Sequence, residues 1–312
     1  MDNLSRMYNV GSKIICDNTK YYRIFDMENL YPSEVYINGE WRDRENATVS
    51  VFDRGFLFGD GIYDVIPLYN GKAFRLQDHL DRMQFGLNEV GIRYDASQLN
   101  PVIAEAIARS PYSESDAAVY IQVTRGTAPR THAFPANTAP TVLLYVYPID
   151  LSGFENKLAT VMFSEDYRWH RCDIKSTSLM ANVRANNEAK LQGVNENLFV
   201  RNGLITEGTH TSVFFLKDQT LFTHPLDKHI LPGITRKVVI EICREHGLFV
   251  EEVAIGLNEV EEIEEAFLTG TTTQILAIGK LELEGKELFL GDEGGLVTKQ
   301  IQAEFIKRTR SA

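Results

Sequence analysis

TVSVFDRGFLFGDGIYDVIPLYNGKAFRL, residues 48–76, reads as a strand-turn-strand unit. Its apolar and aromatic run, GIYDVIPLY, ends on Asn70-Gly71, a dipeptide suited to a tight hairpin turn because both residues tolerate positive φ. Pro67 lies inside that run and has no amide proton to give, so the strand is expected at an edge or with a bulge. Upstream, EVYINGEW (34–41) repeats the pattern around Asn38-Gly39. Downstream, LQDHLDRMQFGLNEVGI changes period. Leu76, Leu80, Met83, Leu87 and Val90 recur at helical spacing and Gly91 is a natural stop.

The alternation continues along the chain. PVIAEAIARS predicts a second helix, and AVYIQVTRG and APTVLLYVYPI predict strands through their β-branched and aromatic content. LATVMFSED is a further strand, SLMANVRANNEAKLQG a helix ending at Gly193, and NLFVRNGLITEG and HTSVFFLKDQTLFTH are strand-turn-strand units. GITRKVVIEICREHG is an amphipathic helix closed by Gly247, EEAFLTGTTTQILAIGKLELEGKEL returns to strands, and GLVTKQIQAEFIKRTR is a terminal helix. The expectation is an α+β chain in two sheet-and-helix domains. Residues 1–34 are read as an N-terminal extension, 35–150 as a small α+β domain, 151–157 as a polar link, and 158–312 as a larger domain.

The 312 residues carry 43 acidic against 32 basic side chains, for a net charge of −11. That balance disfavours nonspecific attraction to nucleic acid or anionic membrane. The most apolar run, TVLLYVYPI, is about half the length needed to span a bilayer. Cys16, Cys172 and Cys243 are far apart and odd in number, against a disulfide framework or zinc site and in keeping with a reducing cytoplasm. No metal site is expected.

No GxGxxG opens a helix and no GxxxxGK[ST] is present, which disfavours the common nucleotide sites. Gly233-Ile234-Thr235 falls at a helix start, where free amides and the dipole favour an anion, although Thr235 could equally be a cap. TGTTTQ (269–274) offers hydroxyls or simply begins a strand. Arg130 and His132, two apart in PRTHAFP, would project from one side of extended backbone and suit a carboxylate, or belong to a solvated loop. Glu207 ends an apolar strand, either buried against a cation or at a turn. Lys175, in RCDIKSTSLMANV (171–183), is by itself either a surface charge or a nucleophilic amine.

Taken in order, DRGFLFGDGIYDV, HLDRM, QVTRGTAPRTHAFP, RWHRCDIKS, ITEGTHTSVF, LPGITR and FLTGTTT resemble the fold-type IV aminotransferases that use pyridoxal 5′-phosphate (PLP), and among them the D-amino acid aminotransferases. The resemblance covers about residues 35–310. It implies a small N-terminal α/β domain and a larger C-terminal domain with a β-barrel-like sheet. It implies that Lys175 carries PLP as a Schiff base and moves a proton in the reaction, and that Glu207 meets the pyridine nitrogen. Arg168 would lie near the O3′ oxygen. Arg82, Ile234, Thr235 and Thr271 would cup the phosphate, and Leu231 would pack on the ring. Tyr63, with Arg130 and His132 reaching in from a neighbouring subunit, would hold the substrate carboxylate, which implies a homodimer with shared sites.

The expected reaction is a ping-pong transfer from a D-amino acid of the D-alanine type to 2-oxoglutarate, giving D-glutamate and a 2-oxo acid. An R-selective amine transaminase, a branched-chain aminotransferase and an aminodeoxychorismate lyase share the fold and stay open as alternatives. Two departures stand out: GTHTS after Glu207, where similar chains carry a serine run ending in asparagine, and Gly270 in place of a hydroxyl residue. His210 is read as a variant backbone-donor position, and Cys172 as a buried thiol outside the chemistry.

Overall fold

The opening stretch folds as a cap, one helical turn and a long strand. The computed structural model describes residues 31–283 and 285–311; most of the expected extension, residues 1–30, lies outside the described residues, as does Cys16. Strands β1 (Glu34–Ile37) and β2 (Glu40–Asp43) form the first hairpin, and α1 (Arg54–Phe58) follows. The Asp53 side chain caps α1 by accepting from Gly55 N, and also accepts from Thr141 Oγ1 at 2.6 Å. Gly59 ends the turn at φ 66°, a left-handed conformation that favours glycine. Asp60 then ties Arg54 (2.7 Å) to Arg125 (2.8 Å), so the polar residues of DRGFLFGDG are consumed in holding the loop. α1 is too short for a periodic sequence signal.

β3 (Gly61–Tyr69) turns through Asn70-Gly71 into the two-residue β4 (Lys72–Ala73), and α2 follows at Leu76–Val90, with Gly91 as its left-handed cap. α3 (Leu99–Arg109), β5 (Ala117–Thr124) and β6 (Thr141–Pro148) complete a six-stranded sheet of order β2-β1-β6-β5-β3-β4. Pro67 is paired on the β5 side, opposite Ala118, while β4 reaches only Leu68 and Tyr69. The proline therefore sits where the strand is nearly an edge, as expected. α2 and α3 bury Leu80, Met83, Leu87, Leu99 and Ile103 against Ile62, Ile66 and Ile121. A buried aliphatic side chain of this kind stabilises by about 1.5–3 kcal/mol.

The expected link, 151–157, holds a short 3-10 turn, Phe154–Asn156. Next come β7 (Leu158–Glu165), α4 (Met180–Leu191), β8 (Glu196–Arg201), β9 (Leu204–Gly208), β10 (Ser212–Lys217), β11 (Thr220–Phe222) and α5 (Ile234–Glu245). β12 (Phe249–Glu251), β13 (Glu265–Gly270), β14 (Gln274–Leu283), β15 (Lys286–Phe289) and α6 (Leu296–Arg310) end the chain. These nine strands run β12-β11-β10-β13-β14-β7-β8-β9, with β15 on β14. β9 and β10 lie five strand spacings apart in that order, about 24 Å in a flat sheet. Yet only Thr209-His210-Thr211 joins them, a link of about 14 Å at full stretch. The sheet must curl on itself, which is the barrel-like form expected. Both sheets lie within one compact unit, Pro32–Ala312.

Candidate active site

The segment that carries Lys175 is fastened to the first sheet. Tyr63 N donates to Lys175 O at 3.0 Å, Thr177 N donates to Gly61 O at 3.0 Å, and Ile62 bridges Ser176. A stretch that follows β7 in the chain is thus laid on β3 as a short added strand. Lys175 Nζ lies 3.4 Å from the Tyr63 hydroxyl and 4.4 Å from its ring centre. Among the described residues it has no acidic partner within ion-pair distance. Both side chains face a cavity of about 190 Å³.

Arg168 and Glu207 form another wall of that cavity. Arg168 Nη1 donates to Glu207 Oε1 at 2.6 Å, and its Nε and Nη2 donate to Asp166 at 2.9 and 3.0 Å. The other oxygen of Glu207 accepts from Leu231 N at 3.0 Å. Burial pushes the Glu207 carboxyl above the usual range, against the pull of Arg168. Asp166 is held below its usual range: burial opposes this, but Arg168 and Arg201 outweigh it.

Arg82 enters from α2. Its Nε and Nη2 donate to the two oxygens of Asp64, at 2.9 and 2.7 Å, and Nη1 donates to Pro232 O at 3.1 Å. His79 Nδ1 lies 2.8 Å from the same carboxylate. All three side chains are buried, and the Asp64 carboxyl sits far below the usual range because Arg82 and His79 overcome its desolvation. Ile234, Thr235, Thr271 and Leu231 also line the cavity. The first amides of α5 have no intrahelical acceptor. Thr269 Oγ1, on the cavity wall, is buried with no hydrogen-bond partner among the described residues. An orphan hydroxyl beside a helix N-terminus suits an anion. Gly270 leaves room: a Cβ there would meet Thr273 at 3.4 Å, ordinary contact.

Arg130 and His132 are elsewhere in the chain. They stand on an exposed, bent loop, with the guanidinium 5.1 Å and the imidazole 5.8 Å from the Phe58 ring centre. They do not line the cavity of their own chain. Cys172 and Cys243 are buried free thiols, each pushed up to about 11 by burial.

Sequence reasoning missed Asp64, His79 and Asp166 as the partners that hold the two arginines. A signal existed for Asp64, the only charged residue inside the apolar run IYDVIPLY. It also missed Glu196, whose buried carboxylate meets His210 Nδ1 at 3.1 Å. His210, read as a variant backbone-donor position, also brings its imidazole to this carboxylate.

Residues 61–281 match the family model described as amino-transferase class IV. The chain is 36% identical over 272 residues to D-alanine aminotransferase of Bacillus licheniformis, covering 86% of this chain and 94% of that one. It is 34% identical over 285 residues to D-alanine aminotransferase of Listeria monocytogenes, covering 89% and 97%. Among solved structures, branched-chain amino acid aminotransferase of Escherichia coli aligns with TM-score 0.80 at 23% identity, covering 90% and 96%. The branched-chain aminotransferase of Thermoproteus uzoniensis, solved with norvaline, aligns at 0.79 and 23% over the same shares. At that identity the likeness speaks for the fold alone. The family match and the D-alanine aminotransferase relatives together make this chain a member of the class IV aminotransferases.

Proposed function

We propose that the protein is a PLP-dependent aminotransferase that moves the amino group of a D-amino acid of the D-alanine type onto 2-oxoglutarate. The observation that carries the reading is Lys175, with no acidic partner among the described residues, facing the same cavity as the Arg168–Glu207 pair in a chain 36% identical to a D-alanine aminotransferase. The residues present fit the cofactor. The orphan Thr269 hydroxyl and the α5 amides match a phosphate, with Arg82, Ile234, Thr235 and Thr271 around it, and Glu207 with Arg168 offers a fixed carboxylate for a ring nitrogen. Leu231 supplies an apolar wall.

When bound, PLP supplies an electron sink that acidifies the substrate Cα–H. Lys175 Nζ takes that proton and returns it, so it must be neutral at that moment; Tyr63 beside it limits where the amine swings. Arg168, locked by Asp166 on one side, keeps Glu207 from turning. Arg130 and His132, off the cavity of their own chain, serve the α-carboxylate of a substrate in the site of a second subunit, so the working form is a homodimer. In this reading residues 35–150 form a small domain and 158–312 the cofactor-binding domain, joined by 151–157. Two free buried thiols fit a reducing cytoplasm.

Transamination of a panel of D- and L-amino acids with 2-oxoglutarate, scored by the chirality of the glutamate formed, tests this. D-glutamate from D-alanine is the expected result. L-selective turnover of branched-chain substrates, pyruvate release without a keto acid acceptor, or turnover only of amines lacking a carboxylate would overturn it.

A further inference from the structure

The cavity wall holds a second pair of groups that the reading above does not use. His210 lies in the three-residue link between β9 and β10, lines the same cavity as Lys175, and keeps its side chain 52% exposed. Its Nδ1 lies 3.1 Å from Glu196 Oε2. Glu196 is 1% exposed and firmly anchored. Oε1 accepts from Asn197 N at 2.9 Å, Thr209 N at 3.1 Å and Thr209 Oγ1 at 2.6 Å; Oε2 also accepts from Thr211 Oγ1 at 2.9 Å. Those donors are all neutral, and a buried carboxylate calls for a cation. His210 is the basic side chain that touches it.

The pairing positions the ring. Nδ1 also lies 3.0 Å from Thr209 Oγ1, so Glu196 and Thr209 together hold that edge of the imidazole. Among the described residues Nε2 has no hydrogen-bond partner, and the orientation of the ring is set by Glu196 and Thr209. The arginines that line the cavity are already engaged: Arg82 by Asp64, Arg168 by Asp166 and Glu207, Arg236 by Glu252 at 2.9 Å. An additional anionic group on a substrate in this cavity finds no uncommitted guanidinium there, and the imidazolium form of His210 offers it Nε2–H.

We propose that His210 binds the side-chain carboxylate of a dicarboxylic 2-oxo acid, with Glu196 as its positioning residue, and so sets a preference for dicarboxylic over monocarboxylic acceptors. This rests on the aminotransferase reading. The test compares wild type with His210→Asn, which keeps a hydrogen bond toward Glu196 but lacks Nε2, and His210→Gln, which keeps a polar group near the Nε2 position. With D-2-aminobutyrate as donor, the ratio of kcat/KM for 2-oxoglutarate over that for pyruvate should fall about tenfold or more in the Asn variant, through KM, and recover in part in the Gln variant. Independently, calorimetry on the holoenzyme should show glutarate binding more tightly than butyrate, with the difference lost in His210→Asn. An unchanged ratio, or both acceptors weakened equally, overturns the proposal. A wild type that transaminates neither acceptor overturns the aminotransferase reading instead, and the glutarate-to-butyrate comparison still reports on His210.

Discussion

Arg168 Nη1 and Glu207 Oε1 meet at 2.6 Å between side chains that are both buried. The pair is a fixed charge arrangement in the cavity wall, with Asp166 holding the far side of the guanidinium. Glu207→Gln keeps the shape and removes the charge. Turnover with D-alanine and 2-oxoglutarate should drop about 100-fold or more, while the protein still folds, because Arg168 keeps Asp166. Steady-state kinetics beside a melting curve separates the two effects; near wild-type turnover would contradict the role given to Glu207.

Lys175→Ala should abolish transamination and cost little stability. The side chain has no acidic partner to strand among the described residues, and the backbone hydrogen bond from Tyr63 N to the residue's carbonyl survives the change. Full D-alanine:2-oxoglutarate turnover in that variant would sink the mechanism.

Asp64 predicts how the protein responds to acid. Burial alone would raise its carboxyl, but Arg82 and His79 prevail and hold it far below the ordinary aspartate value of 3.8. The unfolded chain therefore takes up the proton first. The stability from this group is present above about pH 4 and is lost as pH falls through and below that range. Asp64→Asn strands the buried Arg82 and should cost about 3–5 kcal/mol at neutral pH. The gap to wild type should narrow in urea titrations run at progressively lower pH; a gap that stays constant would refute the assignment.

Gly208 is required for space. A Cβ there would sit 2.2 Å from Thr211 Oγ1 and 2.9 Å from the Glu196 carboxylate. Gly208→Ala should lower stability by about 1–3 kcal/mol, and should disturb the His210 pairing as well. Gly270→Ser should be accepted, since its Cβ has room, and should slow loss of PLP on dialysis by adding a hydroxyl beside Thr271. Unchanged or faster loss would count against a phosphate at that corner.

How much of this was legible beforehand follows from the range of each interaction. The α2 helix was readable from Leu76, Leu80, Met83 and Leu87, because its period and its Gly91 cap are local. The motifs around Lys175, Glu207 and Thr271 gave the cavity residues without saying what braces them. Asp64 reaches Arg82 only because α2 packs across β3, and Glu196 reaches His210 only because β8 pairs with β9, Leu198 opposite Gly208. Such partners are set by tertiary packing, and no spacing rule reports them. Arg130 and His132 both reach Phe58, but from a bent stretch in which Thr131 N donates to Pro129 O at 2.8 Å, and where that loop stands in the fold is not a local property.

The fastening of Lys175–Thr177 to β3 also orders events during synthesis. β3 leaves the ribosome more than a hundred residues before Lys175, so the first sheet is available as a template when the lysine emerges. Of the groups proposed to grip the cofactor, Arg82 and Arg168 precede Lys175, whereas Glu207, Leu231, Ile234, Thr235 and Thr271 follow it, Thr271 last. A nascent chain stalled between β9 and β13 would therefore carry a positioned amine beside an incomplete cup that still lacks Thr271.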